Sequence, residues 1–99
     1  MQRVDQLLSR LREIESLIRT PSVIGHSASA RSLAGSIARQ APTEGIANLA
    51  VRLTAELEAL TEQGLPLSPS NVHINKTLSR LLLALEREKE GLHRRHPLR

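Results

Sequence analysis

Leu, Ile, Val and Ala recur along this chain at intervals of three and four residues, and no Phe, Tyr or Trp stands among them. That spacing puts the apolar side chains on one face of a helix. No stretch alternates with period two over the length of a strand. An aliphatic core buries less area per residue than one with aromatic rings. With 39% of its 99 residues apolar, the chain has enough for one shared core built from several helices. The spacing predicts an all-α fold: an up-and-down antiparallel bundle of four helices, three long and one short and rich in small residues.

The first helix carries Val4, Leu7, Leu8, Leu11, Ile14, Leu17 and Ile18 on one stripe close to a heptad. Arg10, Arg12, Glu13, Glu15 and Arg19 take the remaining surface, with Glu15 and Arg19 set one turn apart as a favourable pair. The residue before Pro21 is pushed out of helical geometry, so this helix ends near Arg19. Residues 21–25 read as a connection. The segment from His26 to Gln40 is dominated by Ser, Ala and Gly around Leu33 and Ile37, with Ala30 and Ala34 on the same side. Its small side chains predict a weak helix that lets a neighbouring backbone come close, although Gly35 costs roughly 1 kcal/mol against Ala.

Pro42 breaks the chain, Thr43 is placed to cap the next helix, and Glu44 suits the dipole of its first turn. Ile46, Leu49, Ala50, Leu53, Leu57 and Leu60 form the second clean stripe, and Gly64 is placed to end it. Leu65 and Leu67 are expected to fold back onto the bundle. Ser68, with Pro69 at the first helical position, or Ser70 is expected to cap the last helix. Ile74, Leu78, Leu81, Leu82, Leu85 and Leu92 carry its stripe, and Leu83 widens the apolar face. The predicted interior is Leu7, Leu11, Ile14, Ile18, Leu33, Ile37, Leu49, Leu53, Leu57, Leu60, Leu78, Leu81 and Leu85. Short connections make successive helices antiparallel neighbours, so residues 1–99 read as one helical-bundle domain with a basic, mobile tail at 91–99.

Charge and composition narrow the chemistry. The net charge is +4, and the chain has no Cys, so disulfides, thiol catalysis and thiolate metal sites are excluded. No apolar run reaches the ~18–20 residues of a membrane span, and no signal peptide is visible; a cytoplasmic location is expected. Residues 20–42 carry Arg31 and Arg39 without an acid, and the tail from Gly91 carries Arg94, Arg95 and Arg99 without one. By contrast, residues 43–64 hold Glu44, Glu56, Glu58 and Glu62 against Arg52 alone. These glutamates are expected on the exposed side of their helix.

No constellation converges on catalysis. His93 and His96 have the spacing to share a metal, but Arg94 and Arg95 between them oppose a cation. His26 and His73 lack an acidic neighbour to orient them and read as surface or capping residues. No serine stands in a Gly-x-Ser-x-Gly setting, and Glu-x-x-His is absent. No enzyme activity, cofactor or metal is expected. Ala30-Arg31-Ser32-Leu33-Ala34-Gly35-Ser36, followed by Ile46-Ala47-Asn48-Leu49-Ala50 and a Leu-rich helix, resembles histidine-phosphotransfer domains over about residues 28–60. Those domains are four-helix bundles with a phosphorelay histidine in a similar Leu-x-Gly-Ser context. Arg31 stands where the family has that histidine, and Ala34 where it commonly has lysine. The resemblance implies a phosphotransfer-like bundle unable to accept phosphate at the usual site.

Two further readings stand beside that one. The favoured reading is a non-enzymatic bundle acting through protein–protein interaction, as an adaptor, a regulator or a self-associating module, including a homodimer. Its candidate partner surface is Arg31, Arg39, Arg94, Arg95 and Arg99, with Arg31 and Arg39 docking an acidic protein. The other is a nucleic-acid-binding accessory protein whose tail arginines contact phosphates. Against this reading, no aromatic is present to stack on bases, and the residues around Asn75 and Lys76 make a thin recognition face.

Overall fold

The computed structural model describes the backbone of residues 2–19, 26–65 and 67–95, with side chains placed for 4–19, 28–65 and 67–91. Four helices follow one another: α1 (Gln2–Arg19), α2 (His26–Gln40), α3 (Glu44–Glu62) and α4 (Val72–Arg95). No strand occurs among the described residues. The expected connection at 21–25, Leu92 and the tail's end beyond Arg95 lie outside the described backbone or side chains. Each helix packs on its sequence neighbour, and α1 closes the ring on α4, while the diagonal pairs do not approach. This is the up-and-down four-helix bundle that short connections dictate.

The local signals act as their chemistry requires. Thr43 is extended, and its hydroxyl accepts from the Ile46 amide at 3.2 Å, capping α3. At the other end Gly64 adopts φ 68°, a left-handed conformation that side chains resist. The Gly64 amide reaches the Thr61 carbonyl and the Leu65 amide reaches that of Leu60, both at 3.1 Å. These paired bonds close α3 with a Schellman motif. The Thr54 and Thr61 hydroxyls bond back to carbonyls one turn earlier, so neither needs an outside partner.

The start of α4 differs from the expectation. Neither Ser68 nor Ser70 caps it, and Pro69 stays outside the helix. Asn71 precedes the first helical residue and turns backward, its Oδ1 accepting from the Ser68 amide at 2.7 Å. Asn75 then donates through Nδ2 to the carbonyls of Pro69 and Asn71. The two asparagines tie the turn to the helix more completely than a serine hydroxyl could, because an amide both accepts and donates.

All four helices contribute to one core. Leu7, Leu11, Ile14, Ile37, Leu53, Leu57, Leu81 and Leu85 are fully buried, and Leu67 folds back beneath the bundle at 4% exposure while Leu65 stays out in solvent. Leu33 and Leu49, expected inside, are only partly buried and pack on the rim of the core. In both cases the next residue, Ala34 or Ala50, holds the centre of the inward face with no exposure. More Cα atoms approach closely between α2 and α3 than between any other helix pair. Ala30 and Ala34 on α2 and Ala50 on α3 are fully buried, and methyl side chains of this size leave neighbouring backbones room to meet. Among the described residues, Thr77 is the polar residue buried in the core.

Gly35 is not part of this close approach. A Cβ there would touch only the tip of Arg39 at 3.5 Å, an ordinary contact. Gly35→Ala should therefore raise stability by roughly 0.5–1 kcal/mol. Gly64→Ala should lower it by about 1 kcal/mol through left-handed strain. Ala34→Leu should cost about 1–3 kcal/mol by overpacking the α2–α3 seam. Urea denaturation followed by far-ultraviolet circular dichroism measures all three.

Candidate functional site

Two of the five arginines proposed as a partner surface have placed side chains, and both are on α2. Arg31 is spoken for: its Nη1 lies 3.5 Å from Glu58 Oε2 on α3, with both side chains about half exposed (46% and 54%). Arg39 is exposed, lies over Gly35 and forms no ion pair with a described residue. Arg94 and Arg95 fall within the backbone of α4, but their side chains, and all of Arg99, lie outside the described residues. The structure thus neither assembles the five into one surface nor separates them. The nucleic-acid reading depends on those same side chains.

Other surface charges knit neighbouring helices. Lys89 Nζ sits 2.9 Å from Asp5 Oδ1, joining α4 to α1. Arg10 Nη1 donates to Gln40 Oε1 at 2.6 Å, joining α1 to α2. Glu15 and Arg19 form the expected one-turn pair at 3.4 Å. Such solvent-exposed pairs stabilise little.

The end of α3 and the start of α4 border an open groove of about 710 Å³. From α3 come Glu56, Ala59, Leu60 and Gln63; from the turn and α4 come Ser70, Asn71, Val72, His73 and Ile74. The Schellman ending and the asparagine-tied turn fix the two walls, and buried Leu67 anchors the segment that joins them. The groove combines an apolar floor at Leu60 and Ile74, both nearly buried, with Val72 at the rim, 70% exposed.

The charged residue of this groove is Glu56, and here the sequence reading needs correction. Glu44, Glu58 and Glu62 are exposed as expected, but Glu56 is partly buried. Its Oε1 is shielded from solvent and accepts no hydrogen bond from a described residue. The cause is position: Glu56 lines the groove together with Ala59, Leu60 and Gln63, where the end of α3 borders the start of α4. The sequence does not reveal this groove, because it depends on where α4 begins.

Two polar atoms that line the groove are engaged within the turn. The Ser70 and Ser68 hydroxyls share a bond of 2.9 Å, and the Asn71 side-chain oxygen is taken by the Ser68 amide. His73 is exposed and lines the groove rather than capping α4. The side chains of His26 and His93 and the whole of His96 lie outside the described residues. Among the described residues no group of three or more His, Asp or Glu is placed to hold a metal ion. No helix of the described residues is long and apolar enough to cross a membrane.

Comparison with models of known protein families, with curated proteins and with solved structures found no match. The likeness to histidine-phosphotransfer domains therefore remains one of residues 28–60 alone, and at its key position Arg31 is an exposed cation paired with Glu58.

A carboxylate oxygen shielded from water without a donor weakens a fold. Glu56→Met, which keeps the length and removes the charge, should leave the protein as stable or up to about 1 kcal/mol more stable in thermal and urea unfolding. A clear loss of stability would show that Glu56 holds the fold together.

Proposed function

We propose that this chain is a non-enzymatic helical bundle that works by binding another protein, and that the α3–α4 groove is where it does so. The observation that carries this reading is the coexistence, in one open groove, of exposed apolar surface at Val72 and an acceptor at Glu56 without a donor among the described residues. The acceptor without a donor costs free energy in the isolated domain, and a partner lying across the groove would bury the Val72 side chain.

The heptad-like stripe of α1 supports a partner other than a second copy. Val4, Leu7, Leu11, Ile14 and Ile18 are all buried inside the ring, so the seam that might have zipped two chains together is consumed within one. The exposed apolar residues Val51 and Leu83 lie on different helices, α3 and α4, and single exposed residues are ordinary on a stable monomer.

The test compares the wild-type protein with Val72→Asp as bait in extract from the native cell. Val72 contributes little to the core at 70% exposure, so the variant should unfold within about 0.5 kcal/mol of wild type. A protein retained by wild type and lost by Val72→Asp is the expected result. Equal retention by both baits would move the interface elsewhere on the bundle, and recovery of nothing by either would remove the reading altogether.

A further inference from the structure

Resting on that reading, we infer that the partner presents an acidic amphipathic helix, which lies along the α3–α4 side of the bundle from the groove to Arg87. The four seams of the ring differ. Arg10 and Gln40 bridge α1 to α2, Arg31 and Glu58 bridge α2 to α3, and Lys89 and Asp5 bridge α4 to α1. Among the described residues no side-chain pair bridges α3 to α4.

That fourth seam carries cations on both helices instead. On α3, Arg52 stands four, seven and eleven residues before Glu56, Ala59 and Gln63, all of which line the groove. Such spacing keeps to one flank of a helix, so Arg52 continues the α3 wall. On α4, Lys76, Arg80 and Arg87 follow groove-lining His73 by three, seven and fourteen residues and continue the other wall. All four are exposed, and none forms an ion pair with a described residue.

The helices run antiparallel, and Leu60 and Ile74 share the groove. Arg52, eight residues before Leu60, is therefore about level with Leu82, eight residues beyond Ile74, in the turn that follows Arg80. No nearby acid balances this stretch. From Gln63 to Leu85 the chain has no Asp or Glu. Glu58 is engaged by Arg31, and Glu86, three residues before Lys89, sits on the flank of α4 that meets α1. Glu44 and Glu62 stand at the two ends of α3, and Glu90 stands beyond Arg87. Cations of one sign along both sides of a seam raise a local potential that draws negative charge.

Apolar residues among the cations select a helix over a phosphate backbone. Val72 and Leu83 are 70% and 49% exposed on α4, each four residues before a cation, Lys76 and Arg87. Phosphates would leave both in water, whereas a helix with an apolar seam covers them. Arg80 and Arg87 are seven residues apart, about 10 Å along the axis. A second helix repeats its flanking acids at that same interval beside its apolar positions.

The experiment titrates the full chain, labelled with nitrogen-15, with a capped peptide of three Glu-Leu-Ala-Ala-Leu-Glu-Ala repeats. A second peptide carries Gln in place of every Glu, and a short mixed-sequence DNA duplex forms a third arm. The expected result is saturable amide shifts at Arg52, Lys76, Arg80 and Leu83, with a dissociation constant on the order of 0.1 mM. Exposed ion pairs are individually weak but add up when several act together, so the Gln peptide should bind about tenfold more weakly. The combined variant Arg80→Glu with Arg87→Glu should lose at least about tenfold, with circular dichroism confirming that it folds. The milder Arg80→Gln with Arg87→Gln should lose part of the affinity, and the duplex should bind more weakly than the acidic peptide.

Absence of shifts at these amides up to about 2 mM acidic peptide, or equal binding of the Glu and Gln peptides, would overturn the inference. Undiminished binding by the folded charge-reversed variant would do the same. Tighter binding of the duplex at these amides would reassign the surface to nucleic acid. None of these results touches the bait comparison, in which Val72→Asp can still lose a partner held by the groove alone.

Discussion

The fold depends on how closely α2 and α3 approach, two helices that bury Ala30, Ala34 and Ala50 completely. A core without aromatic rings cannot fill wide spaces between helices, and interiors tolerate few voids. The bundle meets that constraint by bringing backbones together where side chains are small and by reserving Leu and Ile for the wider interior. The ring then closes with α1 against α4, and the surface charges trim its seams without carrying its stability.

Much of this architecture was legible in the sequence because each element announces itself in more than one way. The α1 stripe, the Thr43 cap and the Gly64 ending each combine a residue type with a position, and the structure places all three as expected. Leu33 and Leu49 were misplaced because a helical repeat fixes only a broad face, and an adjacent alanine can take its centre when a neighbour comes near. The start of α4 was misread because Ser68 and Ser70 carry the commoner capping signal, whereas Asn71 and Asn75 act together with the turn.

The candidate site was harder to read. The tail arginines and the arginines of α2 stand out by charge, yet Arg31 is balanced by Glu58, one of the glutamates counted against it. Glu56 was grouped with Glu44, Glu58 and Glu62 as an exposed residue of its helix, whereas it is partly buried. What distinguishes it is its place on the flank of α3 beside the first turn of α4, a relation between two elements that becomes visible only when the turn between them is known. The apolar rim is equally a product of that turn, which leaves Val72 outside while drawing Leu67 in.

Leu67 has a kinetic corollary. Because this side chain is driven into the base of the bundle at 4% exposure, the segment connecting α3 to α4 is held against the core, and the two helices cannot part without drawing Leu67 out. Withdrawing an aliphatic side chain of this size from a core costs about 1.5–3 kcal/mol, so excursions that open this end of the bundle are correspondingly rare and brief.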